Sequence, residues 1–270
     1  MADGVEVTLP GGLWRDGACV RQAEVRPLDP MEERDLAEAR RELTPAQLAT
    51  RLLAAAVVSV GAVRTDPRAL AVGDREALLL HVRRLTIGER LPCVLSCPIE
   101  GCGEQLELEL DVADLLIDPG EEARPLWHEL RHGGRTVRFR LPTGADQEQA
   151  ARALADGVEE SEVVLGLLSA CSEAEAAEWP PELRALVSER MEQLDPQADL
   201  NLAFQCPACE RDGSVPFDPG AYVLDELSDR ADALDEQVHV LAAAYGWSED
   251  AILALPPARR GRYIELVEAR

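Results

Sequence analysis

Two pairs of cysteines are spaced for chemistry. Cys97-Pro98-Ile99-Glu100-Gly101-Cys102-Gly103 and Cys206-Pro207-Ala208-Cys209 each place two thiols on a tight turn between short runs that read as strands. Such a turn is the form of a zinc knuckle, and two knuckles close a tetrahedral four-thiolate site. The predicted ligands are therefore Cys97, Cys102, Cys206 and Cys209, with Zn2+ as the ion. Four protein ligands leave no open position for water or substrate, so the ion would hold structure and do no chemistry. The first knuckle has four residues between its cysteines where two are usual, and Glu210 follows Cys209 where glycine is favoured. Cys93 is an alternative to Cys97, while Cys19 and Cys171 read as small core residues.

His128-Glu129-Leu130-Arg131-His132 matches HExxH, which on a helix sets two imidazoles one turn apart around a metal ion, with the glutamate activating its water. Pro125 upstream and Gly133-Gly134 downstream leave at most two turns for a helix. Val137, Phe139 and Leu141 alternate beyond the glycines, so the stretch reads as a hairpin whose strand would hold the histidines ~13 Å apart. The zinc metalloprotease is thus the weaker alternative, and the two histidines are expected to bind no metal. The chain has four histidines and shows neither a Gly-x-Ser-x-Gly nor a phosphate-cradling glycine loop, so it is poor in general bases. A non-enzymatic protein is expected, with no catalytic residues.

The elements around these motifs follow from periodicity. Thr44-Pro45-Ala46-Gln47 is a helix start with a capping hydroxyl, a first-turn proline and a third-position amide. A second helix is expected from Asp74, with Leu78, Val82 and Leu85 on one face and Gly88 at its end. Gln105 to Leu110 alternates strictly as a half-buried strand does. Helices return near Asp146 to Ala155, Glu162 to Cys171 and from Pro181, and Leu227, Ala231, Leu234, Val238, Leu241 and Tyr245 form one long apolar stripe. The segment from Leu227 to Arg270 is expected to contribute a partner contact, with Trp247 as its anchor. The fold class is α+β, mainly helical with a small split zinc-ribbon sheet and a β-hairpin. Its segments are 1–90, mainly helical; 91–112, the first half of the ribbon; 113–198, an inserted hairpin and helical region; 199–218, the second half of the ribbon; and 219–270, a helical C-terminal region.

Charge narrows the function further. The chain has 51 acidic and 27 basic residues, a net charge of −24, which repels phosphate backbones and anionic lipid alike. Nucleic acid is not expected as a partner. Arg259-Arg260-Gly261-Arg262 is the one basic cluster and reads as a helix-end complement. The longest nearly apolar run, Leu52 to Val63, is shorter than the ~20 residues of a membrane span, and the first residues lack a targeting pattern. A cytoplasmic protein with reduced cysteines is expected, and no membrane partner.

Several motifs in order carry a resemblance. They are Asp74-Arg75-Glu76-Ala77-Leu78-Leu79 running to Leu85-Thr86-Ile87-Gly88, the first knuckle, Arg138-Phe139-Arg140-Leu141-Pro142-Thr143-Gly144-Ala145-Asp146, the second knuckle, and Tyr245-Gly246-Trp247-Ser248-Glu249 to Pro256 with Arg260 and Tyr263. From Leu70 onward the chain resembles the baseplate hub assembly protein family of T-even-type contractile-tailed phages and related contractile injection systems. The resemblance implies a non-enzymatic hub assembly factor or hub component, whose partners are other baseplate or hub subunits. It would be found in the cytoplasm during assembly, with the particle as its other location. A zinc-ribbon regulatory or interaction module is the alternative from another class.

Overall fold

The computed structural model describes residues 4–120 and 123–269. Strands β1 (Val5–Arg15), β2 (Ala18–Val25) and β3 (Val57–Val60) form an antiparallel sheet in that order, with helices α1 (Pro30–Ala39) and α2 (Pro45–Ala56) between the second and third strands. Asp29 caps α1, accepting from the Met31 and Glu32 amides while Glu32 reaches back to the Asp29 amide. Thr44 and Gln47 make the same reciprocal pair at the start of α2, as the sequence predicts. Leu9, Val25, Leu52, Leu53 and Val60 are fully buried between this sheet and these helices. The N-terminal segment therefore holds a three-stranded sheet beside its helices.

Helix α3 (Val72–Thr86) lies at the centre of the molecule, buried on every side. Its apolar residues alone do not explain that position, because Asp74, Arg75, Glu76, His81 and Arg83 are buried with them. Buried charge is tolerated only where it is hydrogen-bonded or paired, and most of these groups tie α3 to a distant segment. Asp74 accepts from the Gly11 and Gly12 amides at 2.7 and 2.9 Å, pinning the bulge of β1. Arg75 donates to Thr50 Oγ1 and to the Pro67 and Ala46 carbonyls. Arg83 makes a two-pronged pair with Glu226, both contacts at 2.8 Å. The Asp74 to Gly88 motif is thus a structural spine.

Two hairpins follow from it. Strands β4 (Arg90–Ser96) and β5 (Gln105–Asp111) pair in strict register, and the chain turns through the short α4 (Val112–Leu115). Strands β6 (His128–His132) and β7 (Arg135–Phe139) form the second hairpin around Gly133 and Gly134, both in the left-handed region. After α5 (Gly144–Ala155), which lies against α2 and α3, helices α6 (Glu160–Ala170) and α7 (Pro181–Leu194) pack over this hairpin with Phe139, Leu168, Trp179, Leu183 and Val187 as a second core. The chain returns through β8 (Leu200–Gln205) and β9 (Asp212–Phe217), an antiparallel hairpin. Helix α8 (Pro219–Tyr245) then packs its first half on α1, α2 and α3, and α9 (Glu249–Leu253) and α10 (Pro257–Glu268) fold back on its second half. About half of the chain is helix and a quarter is strand in small antiparallel sheets, so the α+β expectation is met.

The ends of the 113–198 segment meet through Gln197. This fully buried side chain donates to the Leu115 carbonyl at 3.1 Å and accepts from the Ile117 amide at 2.8 Å. The neck thereby closes beneath the strands, beside Leu80, Leu91, Val112 and Leu115, and not at the cysteines. The C-terminal stripe is also used internally. Trp247 stacks on Tyr245 with ring centres 4.8 Å apart and meets Tyr263 of α10 edge-on at 5.0 Å. The Arg260 guanidinium donates to Gln237 at 2.8 Å, so this member of the basic cluster clasps α10 to α8. Trp247 therefore packs the terminal helix on its own chain, which is the competing role for the residue expected to anchor a partner.

Candidate metal centre

The two cysteine turns sit at the ends of the β4–β5 and β8–β9 hairpins and face each other across the chain's longest insertion. Alternation within these strands directs Leu95, Leu106, Phe204 and Val215 to one side, where they pack around the thiols and hold the two hairpin tips together. In the first turn, the Cys97 amide donates to the Glu104 carbonyl and the Cys102 amide to the Ile99 carbonyl. Gly101 and Gly103 take left-handed conformations there. In the second turn, the Cys206 amide donates to the Arg211 carbonyl and the Glu210 amide to the Cys206 carbonyl. Glu210 has φ 57, so it occupies the same left-handed position after the second cysteine that Gly103 occupies with φ 67. The sequence already marks this place as one where glycine is favoured, and the backbone shows why.

Cys97, Cys102, Cys206 and Cys209 place their sulfur atoms within 4.8 Å of one another. Cys97 and Cys209 are 4.0 Å apart and Cys102 and Cys206 3.7 Å, both pairs crossing between the hairpins. A tetrahedral metal with ~2.3 Å bonds to sulfur separates its ligand atoms by about 3.8 Å. The donor set therefore fits an ion of that kind and coordination, and the four cysteines could hold one. Burial pushes the Cys97 thiol up to about 12, whereas the Cys209 and Ala208 amides directed at Cys206 hold its thiol down to about 7. A bound cation would draw all four thiols to their ionised form.

Cys93 lies outside the cluster, in β4 opposite Leu108, so the structure does not offer it in place of Cys97. Cys171 is fully buried and Cys19 half-buried, where it donates to the Gly11 carbonyl at 3.3 Å. His128 and His132 belong to β6, opposite Phe139 and Arg135 respectively. Four residues of strand hold them ~13 Å apart, too far for one ion. His128 packs its ring 5.6 Å from that of Phe139, and burial there holds its pKa below the usual imidazole range. The HExxH match is therefore hairpin sequence. Among the described residues, no other group of three histidines, cysteines or carboxylates converges as the four cysteines do.

A family model described as T4 bacteriophage base plate protein matches residues 17–219. The chain belongs to this base plate protein family. The match runs from β2 across both cysteine turns and the intervening hairpin and helices into the start of α8. No curated protein and no solved structure matches the chain. For a base plate protein the partners are other baseplate subunits. No helix among the described residues is long and apolar enough to cross a membrane.

Neither motif nor periodicity reveals the buried polar groups Asp74, Arg75, Arg83 and Gln197. Their one available signal is the charge density of Asp74-Arg75-Glu76 and Arg83-Arg84 in a helix without a polar face, where an amphipathic surface helix would segregate its charges.

Proposed function

We propose that this base plate protein is a non-enzymatic hub assembly factor or hub component of a contractile phage tail or phage-derived injection system, stapled by one structural Zn2+ on Cys97, Cys102, Cys206 and Cys209. The observation that carries the metal is the convergence of four sulfur atoms, two from each hairpin, at separations suited to tetrahedral thiolate coordination. The ordered motifs from Leu70 onward support the hub role, together with the family match. The ion would join β4–β5 to β8–β9 and so fix the first and second halves of the ribbon across the 113–198 insertion. Its place during assembly is the cytoplasm, and the baseplate is its destination in the particle.

A net charge of −24 suits such a protein, since it disfavours premature self-association and attracts subunits bearing basic surfaces. The test is to express tagged wild-type chain and a Cys206→Ser variant in cells that produce the particle but lack the native protein. Wild-type chain should co-purify with hub subunits and restore complete baseplates. The variant should yield few complete baseplates and lose its metal. Complete baseplates in cells lacking the protein, or co-purification with tube or sheath but no hub subunit, would contradict the hub reading.

A further inference from the structure

Helix α6 is apolar beyond its first turn, with Val163, Val164, Leu165, Leu167 and Leu168 in sequence, yet only Leu168 is fully buried. A helix apolar on most of its circumference belongs in an interior. Here it lies on the surface, with Val164 44% exposed and Leu154 and Val158 just before it 50% and 38% exposed. Between α6 and α7 runs an open groove of about 480 Å³. Val164, Leu165 and Leu168 line one side and Ala185 and Ser188 the other, so small residues face large apolar ones across a channel suited to side chains of another helix.

The charges around the groove select its occupant. Glu160 lines it, and Glu159 and Glu162 stand exposed beside it in the first turn of α6, none with an ion-pair partner among the described residues. Glu189 and Glu192 are exposed along α7. Arg184 is the basic residue of the lining, and its Nε is committed to the Trp179 carbonyl at 3.0 Å. A second copy would bring the same carboxylates to the same rim. Its basic α10 is held to α8 through Arg260–Gln237 and to Trp247 through Tyr263.

We infer that the α6–α7 groove is the docking site for an amphipathic helix of another baseplate subunit, with an apolar ridge flanked by lysine or arginine. The inference rests on family membership and on this surface; it is independent of zinc and of the hub assignment, so its failure leaves both standing. The test uses the full zinc-loaded chain and a fluorescein-labelled, stapled helix of leucine and lysine with its leucines on one face. A control helix carries glutamate in place of lysine. Fluorescence anisotropy should show one lysine-bearing helix bound per chain, with affinity falling as salt rises. Val164→Glu and Ala185→Glu, both at exposed positions, should each weaken binding about tenfold or more while melting remains as in the parent. Diffuse attraction to an acidic surface predicts the opposite, since both substitutions add negative charge. Equal or tighter binding by these variants, equal binding of the glutamate helix, or a dimer of the chain that Val164→Glu dissolves would each overturn the proposal.

Discussion

Glu210 illustrates what one residue costs and where the cost comes from. It holds φ 57 because the knuckle geometry demands a left-handed residue after Cys209, and in the other turn that place is filled by a glycine. A left-handed conformation is unfavourable by ~1 kcal/mol or more for a residue with a Cβ. Glu210→Gly should therefore raise the stability of the zinc-loaded protein by roughly 0.5–1 kcal/mol, measured by urea unfolding, with metal content unchanged. Unchanged or lower stability would show that the Glu210 side chain makes a compensating contribution. At the HExxH stretch, His132→Ala should leave zinc at about one ion per chain, since this histidine sits in a strand opposite Arg135 and not at a metal. Loss of the ion in that variant, by elemental analysis, would place the metal in the hairpin and not at the cysteines. Both expectations were legible in the sequence because local backbone rules decide them: a glycine-favoured turn position, and two glycines that end a strand. The choice between Cys93 and Cys97 was not legible, because strand register, which puts Cys93 opposite Leu108, is set by pairing with a segment beyond the turn.

At the scale of elements, Gln197 ties together the two ends of the 113–198 segment. Gln197, itself fully buried, satisfies the buried Leu115 carbonyl and the half-buried Ile117 amide. Gln197→Leu should cost roughly 1.5–3 kcal/mol, since it leaves a buried acceptor and a partly buried donor unmade. A loss smaller than about 1 kcal/mol would show that the neck opens to water, and thermal unfolding followed by circular dichroism measures it. Periodicity revealed most helices and the strands that pair within a hairpin, since both ends of each signal lie close in sequence. It did not reveal α1, although Asp29-Pro30 with Glu32 is a capping signature, nor that β3 joins β2 across two helices. Residue type marks Trp247 for a partner contact, and the fold sets it against Tyr245 and Tyr263 of its own chain. Residue type alone does not distinguish an anchor for another chain from one for the same chain.

Over the whole molecule, the buried charges of α3 give stability a pH dependence of predictable sign. Burial and the neighbouring Asp218 carboxylate push Glu76 up to about 7 from an ordinary value of 4.5. The folded protein then holds this proton more tightly than the unfolded chain does. The contribution is full below about pH 4.5 and is lost as pH rises through about 7. Glu76→Gln, which cannot lose a proton, should gain stability relative to the parent between about pH 5 and 8. Urea unfolding of both zinc-saturated proteins across that range tests this, and a constant difference would contradict it. The comparison is needed because the four thiols act in the opposite sense, releasing metal as they are protonated.

The central claim is that four thiolates from two distant hairpins close around one zinc ion. X-ray absorption at the zinc edge on protein purified without chelator tests it directly. The account predicts one zinc per chain with four sulfur neighbours at ~2.3 Å and no oxygen or nitrogen in the coordination shell. Absence of metal, or a shell containing an oxygen or nitrogen donor, would contradict it.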